Sequence, residues 1–146
     1  NILKYAWGLT LDKNVNTIMM VDEAHVLLSS RNELGAEFLA QIQRRSRKYN
    51  TGTIIITQQP TDFAAPNMIV HGKAIFDNAS YYLVMGLRKQ AVDDLAKLID
   101  LNESEKDSIK YYNQGEALFI CGNRRMRITV IVTQEELDSF GAGGGL

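Results

Sequence analysis

The sequence predicts an α/β fold with a mostly parallel central sheet and an antiparallel hairpin at its C-terminal edge, on three observations. Thr17-Ile18-Met19-Met20-Val21 and Thr53-Ile54-Ile55-Ile56-Thr57 are short apolar runs rich in β-branched residues. Their lack of polar alternation suits strands buried on both faces of a parallel sheet. Between them, Leu34, Phe38, Leu39 and Ile42 recur at helical spacing while Arg31, Glu33, Glu37, Gln41 and Arg45 fall elsewhere. Strand, helix, strand with both strands buried implies a right-handed parallel crossover. Finally, Glu116 to Cys121 and Met126 to Val132 flank Gly122-Asn123-Arg124-Arg125, the pattern of a hairpin with a basic turn.

The remaining elements follow from local chemistry. The helical stretch from Ala24 to Tyr49 is expected to break near Ser29-Ser30, and Asn50-Thr51-Gly52 ends it with turn residues. Pro60 stops the second strand, and Asn67 to Lys73 reads as one or two helical turns. Ala74-Ile75-Phe76 and Tyr81 to Met85 read as further strands extending the sheet, separated by Asp77-Asn78-Ala79-Ser80. Lys89 to Ile99 has helical spacing, and Asn102 or Ser104 caps another helix running towards Tyr111. Thr133 with Glu136 forms a capping box for a last helix ending near Phe140. Residues 1–140 thus read as one unit, and the glycine-rich residues 141–146 as a flexible tail.

Composition bounds the function. A chain of 146 residues, 45% apolar with two prolines, has the makings of one compact domain with a core. Its net charge of −1, from 16 basic and 17 acidic side chains, gives no overall cationic field for nucleic acid or anionic lipid. Cys121 is the only cysteine, so no internal disulfide forms, and a reducing, cytoplasmic location is expected. No apolar run approaches the roughly 20 residues of a spanning helix. The chain opens without a methionine, in what reads as ordinary folded sequence, and is expected to be a fragment of a longer protein.

The residues that carry chemistry sit at the strand ends. Asp22 and Glu23 follow the first apolar run directly, and in open α/β sheets ligands bind beyond the carboxyl ends of the strands. An aspartate there can hold Mg²⁺, and the next glutamate can take a proton from a water attacking a γ-phosphate, which is the logic of a Walker B motif. The other reading is simple helix capping, favourable by about 0.3–1 kcal/mol. At the exit of the adjacent strand, Gln58 could bond both a γ-phosphate oxygen and the attacking water, or merely satisfy loop backbone. The cluster Arg44-Arg45-Ser46-Arg47-Lys48-Tyr49 complements the negative end of a helix dipole. Its sharper reading has Arg47 reaching a phosphate bound by a neighbouring subunit.

Strand-Asp22-Glu23-Ala24-His25, a helix ending in Arg47-Lys48-Tyr49-Asn50, a strand ending in Gln58-Gln59-Pro60 and the Gly115-Glu116-Ala117-Leu118 strand leading to Gly122-Asn123-Arg124-Arg125 together resemble a known family. This is the C-terminal motor domain of the VirB/TraC/TraE-type ATPases of conjugation and type IV secretion, within the wider FtsK/HerA group of hexameric RecA-like motors. The resemblance runs from about Thr17 to Phe140 and implies a RecA-like P-loop NTPase core. By it, Asp22 serves magnesium, Glu23 activates water, Gln58 senses the γ-phosphate and Arg47 is the finger offered to an adjacent subunit. Arg124 and Arg125 line the nucleotide or the subunit edge. The resemblance further implies ATP and Mg²⁺ as cofactors and a hexameric ring as the assembly. It implies partners in the secretion machinery, a protein or DNA substrate, and peripheral association with the inner face of the membrane.

The sequence departs from the family pattern in one respect. A complete motor needs Gly-x-x-x-x-Gly-Lys-Ser/Thr ahead of the acids, because backbone N–H groups and a lysine must cradle the phosphates. No such run occurs, so the isolated chain is expected neither to bind ATP tightly nor to hydrolyse it. Two alternatives stand beside the motor reading. A DEAH-type helicase is suggested by Asp22-Glu23-Ala24-His25, but neither the Ser-Ala-Thr motif nor the later Gln-x-x-Gly-Arg-x-x-Arg is present. A non-catalytic α/β interaction module would use its acids only as caps.

Overall fold

The computed structural model describes residues 2–28 and 33–141. The elements run α1 (Ile2–Leu9), β1 (Thr17–Val21), a 3₁₀ turn (Ala24–Leu28), α2 (Glu33–Arg45), a 3₁₀ turn (Ser46–Tyr49) and β2 (Thr51–Ile55). They continue with α3 (Pro60–Ala64), α4 (Ile69–Asp77), β3 (Tyr81–Met85), α5 (Lys89–Leu95), α6 (Glu103–Ile109), β4 (Glu116–Cys121), β5 (Arg124–Thr129) and α7 (Gln134–Phe140). The expected break near Ser29-Ser30 and the tail beyond Gly141 lie outside the described residues.

β1 and β2 pair in parallel, with Thr17 opposite Thr51 and Val21 opposite Ile55, as the crossover through α2 requires. The second strand begins two residues before the apolar run that predicts it. Asn50, in the left-handed region at φ 50°, closes the preceding turn and frees Thr51 to enter the sheet. β3, β4 and β5 form an antiparallel sheet in that order. The hairpin forms, but its turn is Gly122-Asn123 alone, because Arg124 and Arg125, expected in a basic turn, pair with Cys121 and Ile120 and open β5, which ends at Thr129; Tyr81–Met85 joins the hairpin's sheet rather than the parallel pair.

Ala74-Ile75-Phe76, expected as a strand, is helical and belongs to α4. Three apolar residues cannot separate strand from helix by periodicity. Here continuation of the helix buries Ile75 and seats Phe76 edge-on against Phe63, with ring centroids 5.5 Å apart. Gly72 permits that approach, since a Cβ there would sit 2.2 Å from the Phe63 carbonyl oxygen. The predicted capping box forms at Thr133 with Glu136 on α7, and of the two residues expected to cap α6 it is Asn102 that does so, in a capping box with Glu105. Leu34, counted among the buried stripe of α2, is instead 78% exposed, while Ala36, Leu39, Ala40 and Ile42 turn inward.

Two apolar clusters result. Ala24, Leu39, Phe63, Met68 and Ile75 pack between the parallel strands and helices α2, α3 and α4. Val84, Val92, Leu95, Ile109, Leu118 and Ile120 pack between α5, α6 and the antiparallel sheet. Phe76 touches both clusters and stacks on Tyr82, whose hydroxyl donates to the Phe76 carbonyl at 2.6 Å. The expectation that β1 is buried on both faces does not hold within this chain: Ile18 and Met20 are 71% and 61% exposed, alternating with buried Met19. Among the described residues that face stays largely open, and Ile54 and Ile56, 42% and 41% exposed, extend it across β2. No helix of the described residues is long and apolar enough to cross a membrane.

Asp94 joins α5 to its surroundings from a buried position. Its carboxylate accepts from Lys97 Nζ at 2.6 Å and from Gln90 Nε2 at 3.3 Å. The Lys97 bond holds the Asp94 carboxyl below its ordinary range, against the opposing effect of burial. A carboxylate whose folded pKa is depressed contributes stability that is full above its unfolded value of about 3.9 and is lost as pH falls through the folded value. Urea unfolding below about pH 4 is therefore expected to weaken less in Asp94→Asn than in the parent chain, each measured against its own neutral-pH stability.

Candidate active site

The acids occupy a two-residue loop pinned at both ends by one residue of the neighbouring strand. The Ile56 N–H donates to the Val21 carbonyl, and the Ile56 carbonyl accepts from the Ala24 N–H, both at 2.9 Å. Asp22 and Glu23 are the residues between those bonds, held out at the carboxyl end of β1. Ala24 is fully buried in the core, so the far side of the loop is fixed as firmly as the strand side. Glu23 takes a left-handed backbone, φ 48°, which for a residue with a Cβ costs about 1–3 kcal/mol and persists where surrounding bonds over-determine it. Such strain gathers at functional sites, and here it turns the glutamate towards the adjacent strand.

There it meets Gln58, whose Nε2 donates to Glu23 Oε1 at 2.6 Å. The other carboxylate oxygen, Oε2, lies 3.2 Å from His25 Nδ1. Asp22 is exposed, and its Oδ1 accepts the Glu23 N–H at 2.8 Å. This bond stabilises the loop and caps no N–H of the 3₁₀ turn, which begins at Ala24. The second oxygen of Asp22 is not committed by that bond. An exposed carboxylate of this kind fits Mg²⁺, which characteristically takes one or two protein carboxylates and completes its shell with phosphate and water. Among the described residues no three His, Cys, Asp or Glu side chains converge into a fuller metal cage.

The arginines singled out from the sequence are elsewhere. Arg47 lies in the turn that leads into β2, at the opposite end of that strand from Gln58, and its guanidinium donates to Ser80 Oγ at 2.8 Å. Ser80 directly precedes β3, and Cys121, opposite Tyr81, leads into the hairpin turn after which Arg124 and Arg125 open β5. All three arginines thus belong to the rim where β2 and β3 begin, across the sheet from the acids. Arg125 is engaged there by Glu105, at 2.8 Å, and by the Asp100 carbonyl, also at 2.8 Å. His25 is a site residue to which the sequence assigns no role beyond its place in Asp22-Glu23-Ala24-His25. Its position two residues after Glu23 was a signal, but only the left-handed turn at Glu23 brings the two side chains together.

An acid pair at the carboxyl end of one strand, with a glutamine from the parallel strand beside it bonded to the second acid, is the arrangement of a RecA-like nucleoside-triphosphatase core. The TraG P-loop domain model matches residues 7–134, and the chain belongs to that family. It is similar to VirB4 of Thermoanaerobacter pseudethanolicus, with a TM-score of 0.85 and 32% identity over 93% of this chain and 37% of that structure's chain. It is 28% identical to the protein TraC of Escherichia coli over 85 residues, 58% of this chain and 9% of TraC. An uncharacterized Bacillus anthracis protein is 23% identical over 133 residues, 86% of this chain and 21% of that protein. The chain therefore spans well under half the length of each of these relatives.

Proposed function

We propose that this chain is the water-activating half of an ATPase motor of conjugation or type IV secretion, with the phosphate-gripping half carried by another part of a longer polypeptide. The observation that supports it best is the Glu23–Gln58 bond of 2.6 Å across two parallel strand ends. In this reading Asp22 serves Mg²⁺, Glu23 accepts the proton of the attacking water, and Gln58 reports the γ-phosphate to α3, which begins two residues later. ATP bound with its metal supplies the scissile phosphoanhydride and the charge that these residues act on. Arg47 stands too far round the sheet to serve its own Glu23, which favours its use on a neighbouring subunit in a ring, with Arg124 and Arg125 at the same subunit edge. The motor works on the cytoplasmic side, attached to the membrane through its partners, and moves protein or DNA.

A second feature supports the missing half. β2 and β3 run in the same direction, because Arg47 ahead of one bonds Ser80 ahead of the other, while α3 and α5 behind them pack against each other. Yet the two strands belong to separate sheets, so each keeps an unpaired edge. Unpaired edges are a liability that folded proteins cover. A strand from the longer polypeptide entering between them would join both sheets, and the loop at its carboxyl end would arrive beside Glu23 and Gln58, where phosphate-binding loops sit. The test compares Mg²⁺-dependent ATP hydrolysis by the longer protein with that of the 146-residue chain. Turnover in the former and none above background in the latter is expected. A longer protein that binds ATP without turning it over would leave the interaction-module reading in its place.

A further inference from the structure

Glu23 Oε2 and His25 Nδ1 are buried atoms, and among the described residues neither has an aligned hydrogen bond. They nonetheless face each other at 3.2 Å, within the distance of a hydrogen bond or ion pair. A buried carboxylate oxygen left unmatched costs about 1–3 kcal/mol, so each atom is the other's natural partner.

We propose that His25 is a positioning residue for Glu23: its Nδ1–H donates to Oε2 and fixes the carboxylate plane so that Oε1 points to the open side, where Gln58 stands. This rests on the reading of Glu23 as the base that activates water. The backbone explains why a separate anchor is needed. The Glu23 backbone is held by the bonds at Val21 and Ala24 and by its own bonds to Asp22 and Val26, but its side chain has the Gln58 bond to Oε1 as its one aligned contact, about which the carboxylate can still turn. His25 is well placed to supply the anchor, because it follows fully buried Ala24 on the 3₁₀ turn and its own side chain is only 19% exposed. The imidazole acts through Glu23 alone. Its Nδ1 proton stays in place throughout, while the proton leaving the water goes to Oε1.

The experiment is steady-state ATP hydrolysis by the longer protein carrying substitutions at His25, with ATP affinity and melting temperature measured for each variant. His25→Ala is expected to lower kcat about 10- to 100-fold, the loss that a misplaced catalytic group brings, with KM for ATP within about twofold. His25→Asn, whose amide nitrogen falls where Nδ1 was, is expected to recover most of the rate. His25→Gln, whose nitrogen falls where Nε2 was, is expected not to. A full rate in His25→Ala, or His25→Asn no better than His25→Gln, overturns the proposal. Should His25→Ala not fold, the Asn and Gln variants carry the comparison. Glu23→Gln in the same background separates the two levels of argument. Normal hydrolysis by Glu23→Gln removes the base and its positioning together, whereas an inactive Glu23→Gln beside a fully active His25→Ala removes the positioning alone.

Discussion

Glu23→Gln in the longer protein is expected to cut ATP hydrolysis about 10²–10⁴-fold while ATP binding changes by no more than about twofold. The substitution is nearly isosteric. Its carbonyl oxygen can still accept from Gln58 Nε2, so the 2.6 Å bridge between the strand ends and the local fold survive. What disappears is the negative charge and, with it, the capacity to take a proton from water as the attack develops. Removing that capacity lowers kcat without removing contacts to bound nucleotide, because such a base acts on the transition state rather than on the ground state. A protein whose acids serve only as caps would behave otherwise. Glutamine at this half-buried position would then cost about 1 kcal/mol of stability or less, and any nucleotide turnover would be unchanged. Single-turnover hydrolysis with ATP in excess over Kd checks the point directly, and a rate within threefold of the parent would sink the base assignment.

Much of this site was legible in the sequence, and the reason is topological. Once Thr17–Val21 and the run ending at Thr57 are read as parallel neighbours, Glu23 and Gln58 must emerge at the same sheet rim, and the structure bonds them. The caps of α6 and α7 were legible because they are local, each closed by a side chain three residues from its partner, although the choice between Asn102 and Ser104 was not. The helix over Ala74-Ile75-Phe76 was not, since its stability comes from Phe63 and the gap above Gly72, which are tertiary facts. Nor was the bare face of β1: its apolar run correctly signals a strand made for burial on both sides, but the cover does not come from the described residues. The place of His25 depends on one backbone angle at Glu23, and no residue type announces a left-handed glutamate. Arg47, Arg124 and Arg125 were readable as basic and terminal, but which rim they occupy followed only from the Ser80 bond and the hairpin register.

Phe63→Ala is expected to be the most damaging core substitution, costing about 3–5 kcal/mol. Phe63 is fully buried, and its ring packs edge-on against Phe76, which in turn stacks on Tyr82 of the antiparallel sheet. Removing the ring therefore opens a cavity in one apolar cluster and undercuts the residue that links it to the other. Collapse around the vacancy is restricted, because the carbonyl of Phe63 already meets α4 at Gly72 and Leu98 closes the same corner. Domains of this size are stable by only about 5–15 kcal/mol, so roughly a fifth or more of the total is at stake. With a urea slope of about 2 kcal/mol/M, the unfolding midpoint should fall by roughly 2 M. The effect should also reach the site. Phe63 sits on α3, which starts at Pro60 immediately beyond Gln58-Gln59, so a loosened α3 releases the anchor of the glutamine loop. Hydrogen exchange should then rise at Gln58, Gln59 and α3 before it rises in β4, where Leu118 and Ile120 pack in the second cluster. A midpoint shift below about 0.5 M would mean that α3 repacks over the cavity, and that the two clusters are joined by something other than the Phe63–Phe76–Tyr82 stack.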